Sequence, residues 1–122
     1  MKKQSESLKI DFKKKVVEGN FLAMVFANDG YEIAYIPSLN LSSYGTTKKE
    51  AVEMLNVSLK DFMDTLLEAG ESKGTDEIKS LGWKRNPYFK KFDAPFVDKD
   101  GVLREFDLSE ETKIETMSMA VA

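Results

Sequence analysis

Between Lys79 and Phe92 the chain sets five cations, Lys79, Lys84, Arg85, Lys90 and Lys91, among four rings, Trp83, Tyr88, Phe89 and Phe92. Cations that neutralise phosphates, interleaved with rings on which bases stack, are the parts of a single-strand nucleic-acid site. The bland reading is a solvated loop whose rings fold into the core. The acidic blocks on either side favour it, because they weaken phosphate affinity. Asp98-x-Asp100-Gly101, with Asp107 further on, echoes a calcium loop, but the first ligand position falls on Phe96, which cannot coordinate. It reads instead as a hairpin turn between Pro95-Phe96-Val97 and Val102-Leu103. Paired carboxylates could hold two divalent ions for phosphoryl chemistry, which needs acids projecting from strand interiors. The apolar segment Phe21 to Ala27 has none, Tyr31 to Ile36 has only Glu32, and Asp61 and Asp64 sit three apart on a helix, on its solvated face. These readings assign no catalytic, cofactor-binding or metal residue, and the chain is expected not to be an enzyme.

Side chains that could hold a partner are easier to name. Tyr is enriched in interface hot spots, so Tyr31, Tyr35 and Tyr44 are candidates, with Lys84 and Arg85 from the basic island; the tyrosines equally suit a core. Met117 and Met119 could form an adaptable contact surface or pack as part of a terminal strand.

Composition narrows the classes. A chain of 122 residues is one domain by length, and 42% hydrophobic with 32% charged residues is a globular rather than a disordered balance. With no cysteine, disulfides, thiolate nucleophiles and Zn–Cys sites are excluded. With no histidine, the commonest general base and metal ligand is missing. The net charge of −3 gives no general case for nucleic acid or an anionic membrane. That charge is uneven: +3 over residues 1–20, −6 over 21–78, +5 over 79–92 and −5 over 93–122. The longest apolar run, Phe21 to Ala27, is far short of the roughly 18 residues a bilayer span needs. The start, MKKQSESLK, has no apolar stretch behind its lysines and does not read as a signal peptide. A cytoplasmic protein is expected.

These residues need elements to place them. Leu8, Ile10 and Phe12 alternate with Lys9, Asp11 and Lys13, the period of a half-buried strand. Gly19-Asn20 punctuates, and Phe21 to Ala27 then reads as a strand buried on both faces. Asn28-Asp29-Gly30 marks a tight hairpin turn into a strand from Tyr31 to Ile36, which Pro37 ends. Leu41 to Tyr44 is a short extended piece closed by Gly45. Thr47 with Glu50 three residues on is a capping box. Val52, Leu55, Leu59, Phe62 or Met63, and Leu66 then form one helical stripe. Gly70 is placed to end the helix in a left-handed conformation. Thr75-Asp76-Glu77 reads as the start of one helical turn stopped by Gly82, after which Trp83 returns to the sheet. Residues 113–121 alternate as a terminal strand, and Leu108, Ile114, Met117 and Val121 also suit a short helix.

Several of these residues carry a family resemblance, which runs over about residues 21–83. Ala34, Pro37 and Leu39, a short strand ending in Gly45, and Thr47, Glu50 and Ala51 opening a Leu-striped helix resemble the core pattern of the HicB antitoxins, a family with a partial ribonuclease H-like fold. Leu81-Gly82-Trp83-Lys84 resembles a phrase that precedes the last strand in some relatives. The chain departs from the pattern in having Asn40-Leu41-Ser42 where the family usually has Pro-Gly-Cys. Residues 84–122 also show no pair of amphipathic helices to form a DNA-binding domain. The resemblance implies a homodimer and a partner, a small toxin ribonuclease, blocked by direct contact.

The expectation is therefore a single α+β domain over residues 1–122, with 84–122 an atypical C-terminal extension. Its core is β-β-β-α-β: a three- to five-stranded, mainly antiparallel sheet with one long helix, residues 47–69, on one face. The expected function is non-catalytic, antitoxin-like binding of a toxin ribonuclease, without cofactor, nucleic acid or membrane. The alternative is an orphan copy of the fold serving as a structural or small-ligand-binding module without a toxin.

Overall fold

Leu8 and Ile10 turn inward from β1 (Ser7–Asp11) and Lys9 turns out, as their alternation requires. The computed structural model describes residues 6–86, 90–95, 99–106, 108, 109 and 111–121. After β1 come β2 (Val16–Asn28), β3 (Tyr31–Ile36), a 3-10 turn (Pro37–Leu39) and β4 (Leu41–Gly45). The helix α1 (Lys48–Ser80), β5 (Lys84–Arg85), β6 (Lys91–Asp93), α2 (Lys99–Glu105) and β7 (Glu115–Val121) complete the fold. This is an α+β architecture: antiparallel strands in one sheet, with a long helix packed on it. The sheet has seven strands, more than the three to five expected, because β5, β6 and β7 join it.

Hydrogen-bonded neighbours follow the order β4-β3-β2-β1-β6-β5, and β7 pairs with β2. The register locates β7 further. It runs along β2 from Gly19 to Val25, while β1 pairs with Val16 to Asn20 and β3 with Met24 to Asn28. A strand residue has only two edges, so β1 and β3 lie end to end on the edge of β2 opposite β7. The β2–β3 turn is the tight one expected, with both Asp29 (φ 51) and Gly30 (φ 81) in the left-handed region.

β2 is one strand of 13 residues, uninterrupted at Gly19-Asn20. Gly19 serves there as a space rather than a break: a Cβ on it would lie 2.7 Å from Cζ of Phe21, whose ring is buried. The apolar run is covered on both faces. Phe21, Ala23 and Val25 face the main core, with Ala34, Ile36 and the α1 stripe. Met24 and Phe26 face a second cluster, with Tyr35 and Val102, against which Leu22, Ile33, Phe106, Leu108 and Ile114 also pack.

The Thr47 hydroxyl accepts the Glu50 amide at 3.1 Å, and the Glu50 carboxylate accepts the Thr46 amide at 3.3 Å. Ala51, Leu55, Leu59, Met63 and Leu66 form the buried stripe; Phe62 packs against it half-buried. At Gly70 (φ 87, ψ 173) the backbone leaves helical geometry, as expected of a helix end, but a second arm continues to Ser80. The helix therefore extends well beyond residue 69. Its second arm buries Gly74, Thr75 and Ile78. The hairpin expected around Asp98 to Gly101 is also corrected: Lys99–Glu105 is helical, with Gly101 inside it. Val102 and Phe106, one turn apart, land on the second core cluster, which a hairpin turn there would not arrange. Residues 96–98 and Asp107 lie outside the described residues. No helix among the described residues is long and apolar enough to cross a membrane.

Candidate functional site

The free side of β4 gathers exposed apolar side chains. β4 ends the hydrogen-bonded order, so its outer edge carries no partner strand among the described residues. Tyr44 (66% exposed) and Tyr31 (49%) stand together on the sheet face opposite α1, their rings edge to face at 5.6 Å. Ser43 points the other way, to Ser58 of α1, hydroxyl to hydroxyl at 3.2 Å. That contact fixes which flank of α1 overlies β4. Met54 lies one turn before Ser58 on that flank, whereas Val57, two residues from both buried Leu55 and buried Leu59, stands on the outer crest of the helix; both are about half exposed. Of the five large apolar residues exposed among the described ones, Tyr31, Tyr44 and Met54 lie around β4, while Val57 is on the outer crest of α1 and Val16 begins β2. Met54 was not expected in the site. Its signal was present, though, in an apolar residue placed off the helix's buried stripe.

The third tyrosine is elsewhere. Tyr35 is buried, with Phe106 packed edge-on at 4.9 Å. Its hydroxyl lies 3.3 Å from both Asn40 Oδ1 and Glu105 Oε2. Burial first, then the Glu105 charge and hydrogen bond, push it up to about 12. Tyr35 is a core residue and not part of the exposed pair.

Lys84 and Arg85 form β5, at the far end of the sheet order from β4. Arg85 pairs with Glu71 of the second helical arm at 2.9 Å, and Lys90 with Asp11 of β1 at 2.8 Å. The Lys90 ammonium, followed by the Lys14 amide, holds the Asp11 carboxyl below its usual range. These two pairs rim a cleft of about 250 Å³ floored by Ile10, Phe12 and Phe92. The rings of the basic island do not form a platform: Trp83 and Phe92 are buried in the main core, and Tyr88 and Phe89 lie outside the described residues. The sequence candidates thus divide into a Tyr31–Tyr44 pair, a core Tyr35 and a Lys84–Arg85 end in which Arg85 is ion-paired to Glu71.

Asp61 and Asp64 are exposed on α1, as their helical spacing predicted. Among the described residues no group of three or more carboxylates gathers that could hold a metal ion. Met119 is buried in the main core and Met117 packs against it, so both methionines of β7 face α1 rather than solvent. The Glu115 carboxylate at the start of β7 bonds Lys48 at 2.5 Å, which holds the ammonium above its usual range and the carboxyl below its own. No family model matches the chain, and no curated protein and no solved structure matches it.

Proposed function

We propose that this chain is a non-catalytic binding protein that acts by covering a partner, and that the partner is a small toxin ribonuclease, as the HicB-like residues imply. The observation that supports the reading best is the gathering of Tyr31, Tyr44 and Met54 around a sheet edge that has no partner strand among the described residues. Exposed aromatic and Met side chains are what protein interfaces are enriched in. Covering needs a surface and no reacting group, and these residues offer a surface.

The test is co-expression with the product of a small, basic open reading frame beside this gene. A stable complex on size exclusion, together with rescue of growth from that product's toxicity, supports the reading. Co-purification that fails and growth that stays arrested overturn it. Tyr44→Ser combined with Met54→Ser places the contact: it weakens the complex and leaves the thermal midpoint of the free chain within about 2 °C, since neither side chain is in the core.

A further inference from the structure

We propose that the free edge of β4 takes an added β-strand from a basic partner segment, an extended stretch in which cations alternate with apolar or β-branched residues. The inference rests on the reading above and names how the partner sits. Strand addition supplies main-chain hydrogen bonds along an open edge, and side-chain sites on either face of that edge select the sequence.

The chemistry of the edge is the first argument. Natural edge strands are guarded by charge, proline or bulges. The opposite end of the sheet is guarded in this way, since β5 consists of Lys84 and Arg85. β4 reads Leu-Ser-Ser-Tyr-Gly, with no charge and no proline. Apolar side chains stand on both sides of it, Tyr31 and Tyr44 below and Met54 above. An incoming strand would therefore find apolar contacts on both faces.

Charge names the occupant. By helical spacing, the flank of α1 that carries Ser58 and Met54 also carries Glu50 and Asp61, both exposed, and no cation. Lys49 and Lys60 fall on the opposite flank, where Lys60 stands beside Lys15, Val16 and Ala120. Lys48 is committed to Glu115. A second copy of the chain docked edge to edge would bring these acids against their own copies, which opposes self-pairing. A basic strand meets them favourably.

The probe is a synthetic peptide alternating Lys with Val and Thr, set against one with Glu in place of Lys, titrated into the full chain and followed by backbone amide NMR shifts. The Lys peptide is expected to move the amides of residues 41–45 and to bind less tightly as salt rises. Ser42→Lys, an exposed position on β4, is expected to weaken it by about tenfold by charging the edge. Asp61→Lys is expected to weaken it by about three- to fivefold. Circular dichroism checks that both variants stay folded. Equal binding of the Glu peptide, shifts along residues 115–121 instead, no binding at all, or a dimer that Ser42→Lys dissociates would each overturn the proposal. The two readings fail separately. A complex with the neighbouring gene product that survives Ser42→Lys removes strand addition and keeps the covering function. Peptide binding at β4 without any such complex removes the toxin and keeps the edge.

Discussion

Glu6 reaches Leu22 across the gap between two strands: its carboxylate accepts the Leu22 amide at 3.1 Å. Leu22 lies between the β2 residues paired to β1 and those paired to β3, where neither neighbour supplies an acceptor. The same Oε2 accepts the hydroxyl of buried Ser38 at 2.6 Å. The carbonyl of Ser38 in turn takes the indole N–H of Trp83 at 2.8 Å. One residue of the 3-10 turn thus ties the entry to β1 and the segment after α1 to the centre of the sheet.

Glu6→Ala is expected to destabilise the fold by about 1–3 kcal/mol, because it leaves an amide and a buried hydroxyl without their charged acceptor. Urea unfolding measures it. A loss below about 0.5 kcal/mol, the scale of an ordinary surface change, would show that water replaces the carboxylate at no cost.

Trp83→Phe removes the bond to Ser38 and leaves a void beside Phe21, which meets the indole edge-on at 5.9 Å. An unpaired carbonyl and lost core volume together predict about 2–4 kcal/mol. Because Trp83 and Glu6 share Ser38, the double variant should depart from the sum of the single ones by at least about 0.5 kcal/mol. Strict additivity in a double-mutant cycle would separate the two bonds.

Gly70 holds φ 87 and ψ 173, a region that only glycine occupies readily. A Cβ there would touch nothing within 4 Å, so the cost of Gly70→Ala is conformational and not steric. About 1–3 kcal/mol is expected. A neutral result by thermal melting would mean that the two arms of α1 straighten into one helix when alanine is present.

Most of the fold was legible where local chemistry decides it. The Thr47 cap, the Asp29-Gly30 turn and the two-sided burial of Phe21 to Ala27 all follow from residues next to one another. What escaped depends on contacts far apart in sequence. The second helical arm has only Ile78 as a large buried apolar residue, so no stripe announced it. Gly101 reads as a turn residue until Val102 meets Met24, Phe26 and Tyr35. The three tyrosines looked alike for the same reason. Tyr31 and Tyr35 share one face of β3, and Phe106, 71 positions after Tyr35, covers one of them. Met54 became part of the site only when Ser58 met Ser43.

The Lys48–Glu115 contact joins the start of α1 to the start of β7, and it sets an acid limit. Glu115 is held below its ordinary carboxyl range, chiefly by the hydrogen bond from Lys48. Its contribution is fully present above the unfolded carboxyl range and is lost as pH falls through the depressed folded value. Both side chains are half exposed, so salt should reduce the effect. Glu115→Gln should flatten the loss of stability below about pH 4.5 relative to the parent chain. Parallel acid limbs for the two proteins would show that the pair contributes nothing.

Tyr35 sets the alkaline limit by the opposite logic. Its neutral form is the one the fold keeps, because ionisation would bury a charge beside Glu105. In the unfolded chain the phenol ionises near pH 10, while in the fold it waits until about 12. Below pH 10 both states hold the proton and stability does not depend on this group. As pH rises from 10 towards 12 the unfolded state releases its proton first, so stability falls across that interval. Titration of tyrosinate absorbance should accordingly show a late-ionising fraction, that of Tyr35, while the chain remains folded. Tyr35→Phe should remove that late fraction and shallow the alkaline loss of stability. It should leave exposed Tyr31 and Tyr44, and any binding they support, unchanged. A late phase that survives Tyr35→Phe would assign the raised phenol to another ring.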